Sequence, residues 1–202
     1  MEGTILLAFQ AIRIGGLTQV MALISALGNS SLIWIVLALV LLVFQERRQT
    51  GVMLIATILV TSLVCVIISN VVGRPHPTEL VTGLVAVMGV SHPGHSFPSL
   101  HAATGFAATI VLWRSGFHGM GTAAFAFAVL ESVSRLYLGV NYPTDVIAGA
   151  ALGLLLGFVL TLVLTRLLSQ IEFQPPKPAR KQLKGRHSRG AAHCTPHVTP
   201  PR

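Results

Sequence analysis

A chain of 202 residues that is 52% hydrophobic and only 10% charged, with a mean hydropathy of +0.74, is excluded from the soluble globular class and falls among integral membrane proteins. Its formal net charge of +8 would suggest a nucleic-acid partner if it covered a folded face. Half of the 14 Lys and Arg residues instead follow Ile171, in a proline-dense segment without the aromatic pattern or motifs of RNA recognition, so no nucleic-acid partner is expected.

In chain order, the stretch 4–27 is apolar but broken in its middle by Arg13, Gly15 and Gly16. It fits either a first span or an interfacial helix lying on the membrane, and it lacks the basic start and cleavage site of a signal peptide. Apolar runs follow at about 30–45, 51–73, 98–114, 119–140 and 144–168, against the roughly 20 residues that a spanning helix needs. The expected architecture is an all-α, polytopic membrane helix bundle of five to six transmembrane helices. Its parts are an N-terminal interfacial or spanning helix over 1–29, a helical core over 30–170 and a disordered tail over 171–202, the last too polar to bury a core of its own. The charge of that tail suits anionic headgroups. Cys65 lies in an apolar run and Cys194 in the tail, so no disulfide is expected. The basic connections 45–49 and 113–119 share a side with the tail. Positive charge marks that side as cytoplasmic, which leaves 74–97 and 136–143 facing outward.

Nearly every unusual polar residue of the membrane part falls on or beside those outward segments: Arg74, His76, Glu79, His92, His95, Ser99, His101, Arg135, Asn141 and Asp145. Ionisable groups at a membrane edge are costly and by default functional. Pro98-Ser99 reads as a helix start with Ser99 as N-cap. Pro143 suits a first helical position, with Asp145 in the first turn. Two helix N-termini on one side, with Arg74 and Arg135 nearby, form a natural anion site. Taken singly, these residues have plainer roles. Glu131 and Arg135, four apart in the favourable order, predict an ion pair within one helix, and Ser99 and Asp145 serve as caps.

The ordered blocks GRPHP (73–77), FPSLHAA (97–103) and SRLYLGVNYPTDVIAG (134–149) resemble the three signature blocks of the type 2 phosphatidic acid phosphatase family, over about 45–170. The resemblance implies an integral membrane lipid phosphate or pyrophosphate phosphatase with about six transmembrane helices and its site at the outer surface. Its substrate would be a phosphorylated lipid such as phosphatidate, phosphatidylglycerophosphate or undecaprenyl pyrophosphate, handled without a cofactor. In that family a histidine of the third block attacks phosphorus and an aspartate orients it; the second block binds phosphate and protonates the leaving group; the first supplies cations. This division of labour suits phosphoryl transfer, where positioning and charge neutralisation dominate. By this resemblance His101 is the general acid, Ser99 binds phosphate, and Ser134, Arg135 and Asp145 match the third block. Arg74 falls on a more variable position of the first block. Four positions depart from the pattern. Asn141 stands where the nucleophilic histidine belongs, Ser69 and His76 replace the lysine and arginine of the first block, and Leu100 replaces the glycine of the second.

An amide nitrogen whose lone pair is delocalised into its carbonyl does not form a phosphoenzyme, so the family and the activity separate. One reading is a hydrolase in which His92 or His95 substitutes as nucleophile. A second is a non-catalytic relative that binds, senses or helps move a lipid phosphate, with Asn141 donating to phosphate or to Asp145. A third gathers His76, His92, His95, His101 and Asp145 around a metal ion; it ranks behind the other two, and no metal is expected.

Overall fold

The computed structural model describes residues 1–28, 31–85, 87 and 94–170, and every regular element among them is helical. In chain order these are α1 (Glu2–Ala11), α2 (Gly15–Leu27), α3 (Leu32–Val43), α4 (Arg48–Val72) preceded by a 3-10 turn at Gln45–Arg47, α5 (Pro77–Leu80), α6 (Leu100–Arg114), α7 (His118–Tyr137) and α8 (Pro143–Gln170). The tail expected over 171–202 lies outside the described residues, as does His92.

The bundle is organised around α6. Its residues 101–109, Val111 and Leu112 are buried, and they are mostly Ala, Gly and Thr, which let neighbouring backbones come close. α8 answers with Gly149, Gly153 and Gly157, one every four residues and therefore on one face. A Cβ at these positions would run into the carbonyl oxygens of Ser99, Ala103 and Ala107 respectively. The matched order shows that α6 and α8 run parallel, in close contact of the small-residue kind that membrane helices use in place of a hydrophobic driving force. α7 returns between them in the opposite sense, so the starts of α6 and α8 and the end of α7 share one end of the bundle. The Ser99 N–H donates to the Asp145 carbonyl (3.0 Å), which fixes the two starts together. Towards the other end, Trp34 and Leu41 of α3, Leu54 and Ile58 of α4, and Ala108 and Leu112 of α6 form the main apolar cluster.

The outer faces carry Leu59, Leu63, Ile67, Val71, Ile147, Leu155 and Phe158 exposed, as lipid contact requires. By length and apolarity Gln45–Leu80 and Pro143–Ser169 each suffice to cross a bilayer, and the pair Gly15–Leu27 and Leu32–Val43, bent by 52°, makes up to a third. This is fewer than the five to six spans that apolar runs predict. α6 has 15 residues, about 22 Å of helix, and is walled in by protein, while α7 carries Glu131 and Arg135. The stretch 4–27 forms two short helices. Between them Ile14 is extended (φ −122°, ψ 146°), and Arg13 is tied down by donating from Nε to the Tyr137 carbonyl (2.9 Å) and from Nη1 to the Val85 carbonyl (2.7 Å).

Candidate functional site

Three chain segments converge where α6 and α8 begin. α4 ends on Gly73 at φ +61°, a left-handed conformation that favours glycine; its N–H donates to the Ser69 carbonyl (2.9 Å). The chain so turned runs through Arg74 and His76. His76 is buried, and its Nδ1 donates to the Val140 carbonyl (2.9 Å). The approach to α6 is pinned by Ser96, whose N–H donates to the Arg74 carbonyl (2.8 Å) and whose hydroxyl donates to the Pro75 carbonyl (3.1 Å).

Asn141 sits at the centre of these contacts, 4% exposed. Its Oδ1 accepts from Arg135 Nε (3.0 Å), and its Nδ2 donates to the Ser96 carbonyl (2.6 Å). Both ends of the amide are thus committed, one to the guanidinium and one to the backbone entering α6. Arg135 donates a second bond, from Nη1 to the Ser25 hydroxyl of α2 (2.9 Å). The expected Glu131–Arg135 ion pair is not formed: among the described residues the ion pairs are Arg74 with Glu2 and Arg74 with Asp145. Glu131 is fully buried, and among the described residues neither carboxylate oxygen has a hydrogen-bond partner. The spacing rule for exposed helices fails here because Arg135 has pre-placed partners on α2 and in the loop after α7.

Asp145 does not reach Asn141. Its Oδ1 accepts from Arg74 Nη1 (2.5 Å) and its Oδ2 from the Tyr142 N–H (2.8 Å), so it caps α8 and clamps Arg74 at once. Arg74 also donates from Nη1 to the Thr144 hydroxyl (2.7 Å) and from Nη2 to Glu2 Oε2 (2.7 Å), and its guanidinium lies 3.9 Å from the centre of the Tyr142 ring. Burial alone would raise the Glu2 carboxyl's pKa, but hydrogen bonds from Thr144 and Arg74 outweigh it and hold the group below its ordinary value. Arg74, expected to bind phosphate, is therefore occupied by two carboxylates.

Ser99 stands at the N-cap position of α6 without capping it. Its hydroxyl is buried and has no hydrogen-bond partner among the described residues, a costly arrangement that leaves the group available to a ligand. His101 is buried in the first turn of α6. Leu100, half-buried, brings its N–H to the same turn. Ser134 is turned away, its hydroxyl donating to the Glu131 carbonyl (2.6 Å). His95 is exposed, its Nε2 3.9 Å from where a Cβ on Gly73 would stand. Among the described residues no three His, Cys, Asp or Glu side chains gather in a metal-binding group, and Asp145 is spent on Arg74. Sequence reasoning missed Glu2, Ser25 and Ser96, which hold Arg74, Arg135 and Asn141. Glu2 lies 142 residues from Thr144 along the chain, and no motif links them.

Comparison with known proteins gives this end of the bundle a context. The sequence model of the PAP2 superfamily matches residues 50–168. An undecaprenyl-diphosphatase of Sulfolobus acidocaldarius is 28% identical over 141 residues, covering 70% of this chain and 68% of its own. A decaprenylphosphoryl-5-phosphoribose phosphatase of Mycolicibacterium smegmatis is 36% identical over 154 residues, covering 73% of this chain and 81% of its own. Among solved structures, a PAP2-type phosphatidylglycerolphosphate phosphatase from Bacillus subtilis superposes with a TM-score of 0.67 at 25% identity, over 86% of this chain and 87% of that one.

Proposed function

The chain belongs to the PAP2 superfamily, and from that membership we propose that it is a membrane protein of the lipid-phosphatase kind that takes up the phosphate or diphosphate of a membrane lipid at this end of the bundle, without the phosphohistidine step. Asn141 carries the reading. A nucleophile must be free to approach phosphorus in line, within fractions of an ångström, whereas this amide is bonded at both ends to Arg135 and to the Ser96 carbonyl. The aspartate that orients the family's histidine is turned to Arg74 and Tyr142.

In this reading the Ser99 hydroxyl and the Leu100 N–H donate to phosphate oxygens, Arg135 supplies the fixed positive charge and His76 an ionisable one, and His101 keeps the position of the acid. The names of the relatives favour a polyprenyl-linked phosphate as the ligand class. Arg47, Arg48 and Arg114 lie at helix ends remote from the site. The excess of positive charge there supports a cytoplasmic inner face and an outward-facing site. Residues 30–170 would then form the phosphatase-like core across five to six passages, 1–29 an N-terminal part lying along it, and 171–202 a cytoplasmic tail.

A second reading, hydrolysis with a substitute nucleophile, is favoured by the exposed imidazole of His95 beside Gly73. The test is phosphate release from phosphatidate and undecaprenyl pyrophosphate by the purified protein, alongside binding of the same lipids. The native chain is expected to bind without release, and Asn141→His to gain measurable release. Release by the native chain that disappears in His95→Ala would establish the second reading instead.

A further inference from the structure

We propose that the Glu2 carboxylate is a built-in anion seated in a phosphate subsite made by Arg74 and Thr144, and that a phosphorylated headgroup entering the site displaces it. The inference rests on the lipid-phosphate reading above and adds an occupant that must leave.

Three donors converge on this one carboxylate. Thr144 donates to Oε1 from both its hydroxyl (2.6 Å) and its N–H (3.1 Å), and Arg74 Nη2 donates to Oε2 (2.7 Å). α8 begins with Pro143, which has no N–H, so the Thr144 amide is the first donor that the 28-residue helix presents. A guanidinium, a hydroxyl and a helix-start amide form a donor set that suits a phosphate as well as a carboxylate. A second phosphate, or the second half of a diphosphate, reaching past Ser99 would meet these groups.

Glu2 can leave without unfolding anything. Its side chain is 32% exposed and that of Arg74 26%, so a rotamer change suffices. The rest of α1 is anchored independently. Leu6 is fully buried in a cluster with Leu84 and Tyr142, Gln10 Nε2 donates to the Gly83 carbonyl (2.8 Å), and the Val85 N–H donates to Gln10 Oε1 (2.7 Å). Arg74 would keep its Asp145 contact when Glu2 departs, so the subsite stays assembled for an incoming anion. With Glu2 seated, a negative charge faces any approaching headgroup and the Nη2 edge of Arg74 is blocked.

The experiment is calorimetric titration of the full-length protein in detergent with short-chain phosphatidate and with inorganic diphosphate. Glu2→Gln, which keeps the shape and removes the charge, is expected to bind about tenfold more tightly than the native chain. Adding Thr144→Val to Glu2→Gln should return affinity to near the native value. Glu2→Asp, whose carboxylate is one methylene shorter, should fall between the native chain and Glu2→Gln. Thermal unfolding of each variant separates these effects from loss of fold. Equal or weaker binding by a folded Glu2→Gln, with the native chain binding normally, would overturn the inference alone. If neither the native chain nor the folded Glu2 variants bind any phosphorylated probe, the lipid-phosphate reading falls and the inference with it.

Discussion

Replacing Gly153 by leucine is expected to abolish the folded bundle in mild detergent, whereas Gly119→Ala should leave it intact or raise its unfolding temperature slightly. At Gly153 the added side chain meets the carbonyl oxygen and Cα of Ala103. Overpacking ordinarily costs about 1–3 kcal/mol when neighbouring side chains can shift. Here the obstacle is the backbone of the most buried helix, so a penalty of roughly 3 kcal/mol or more is expected. α6 and α8 would have to part along the seam that also joins Ser99 to Asp145. At Gly119 nothing lies within 4 Å of the added methyl, and alanine gains up to about 0.5–1 kcal/mol over glycine in a helix. Trp34 and Trp113 give a fluorescence signal for the unfolding transition. Equal unfolding temperatures for the two variants would refute the backbone-contact account of the α6–α8 seam.

Asn141→Ala is expected to lower stability by on the order of 3 kcal/mol, because it strands two buried partners, the Arg135 Nε–H and the Ser96 carbonyl, at about 1–3 kcal/mol each. Asn141→Asp should separate the roles of this residue. The carboxylate still accepts from Arg135 but sets a negative oxygen against the Ser96 carbonyl and cancels the charge that phosphate needs. This variant is expected to lose lipid-phosphate binding at least tenfold, with a smaller loss of unfolding temperature than Asn141→Ala. Denaturation and lipid binding measured on the same preparations give both numbers. An Asn141→Ala protein as stable as the native chain would mean that the amide bridge holds nothing together.

How far the sequence foretold this arrangement depended on the kind of signal. The starts of α6 and α8 were legible because Pro98-Ser99 and Pro143-Thr144-Asp145 are local signals, and their common side followed from alternating topology. The break at Arg13 was visible as a charge just before the pair Gly15-Gly16, but its tether to Tyr137 and Val85 was not, since those contacts cross more than 70 residues. The length-and-apolarity criterion picks out fewer spans than the apolar runs do because α6 is only 15 residues long and is walled in by protein, and α7 carries Glu131 and Arg135. The Glu131–Arg135 pair was predicted from an isolated-helix rule, whereas Ser25 and Asn141 decide where the guanidinium points. Most telling is Ser99. A serine before a helix predicts a cap, yet among the described residues its hydroxyl has no hydrogen-bond partner, an arrangement that a local rule does not foresee.

The glycine seam between α6 and α8 has an evolutionary consequence. Because main-chain atoms set the separation of α6 and α8, the spacing of the two helix starts is fixed separately from the amide bridge that Asn141 makes to Arg135 and Ser96. A histidine there can be exchanged for an amide while Ser99, His101 and Asp145 remain on their helices. On the proposed reading, a chain built on such a seam could change the chemistry at position 141 while the helix spacing that frames the site stays fixed.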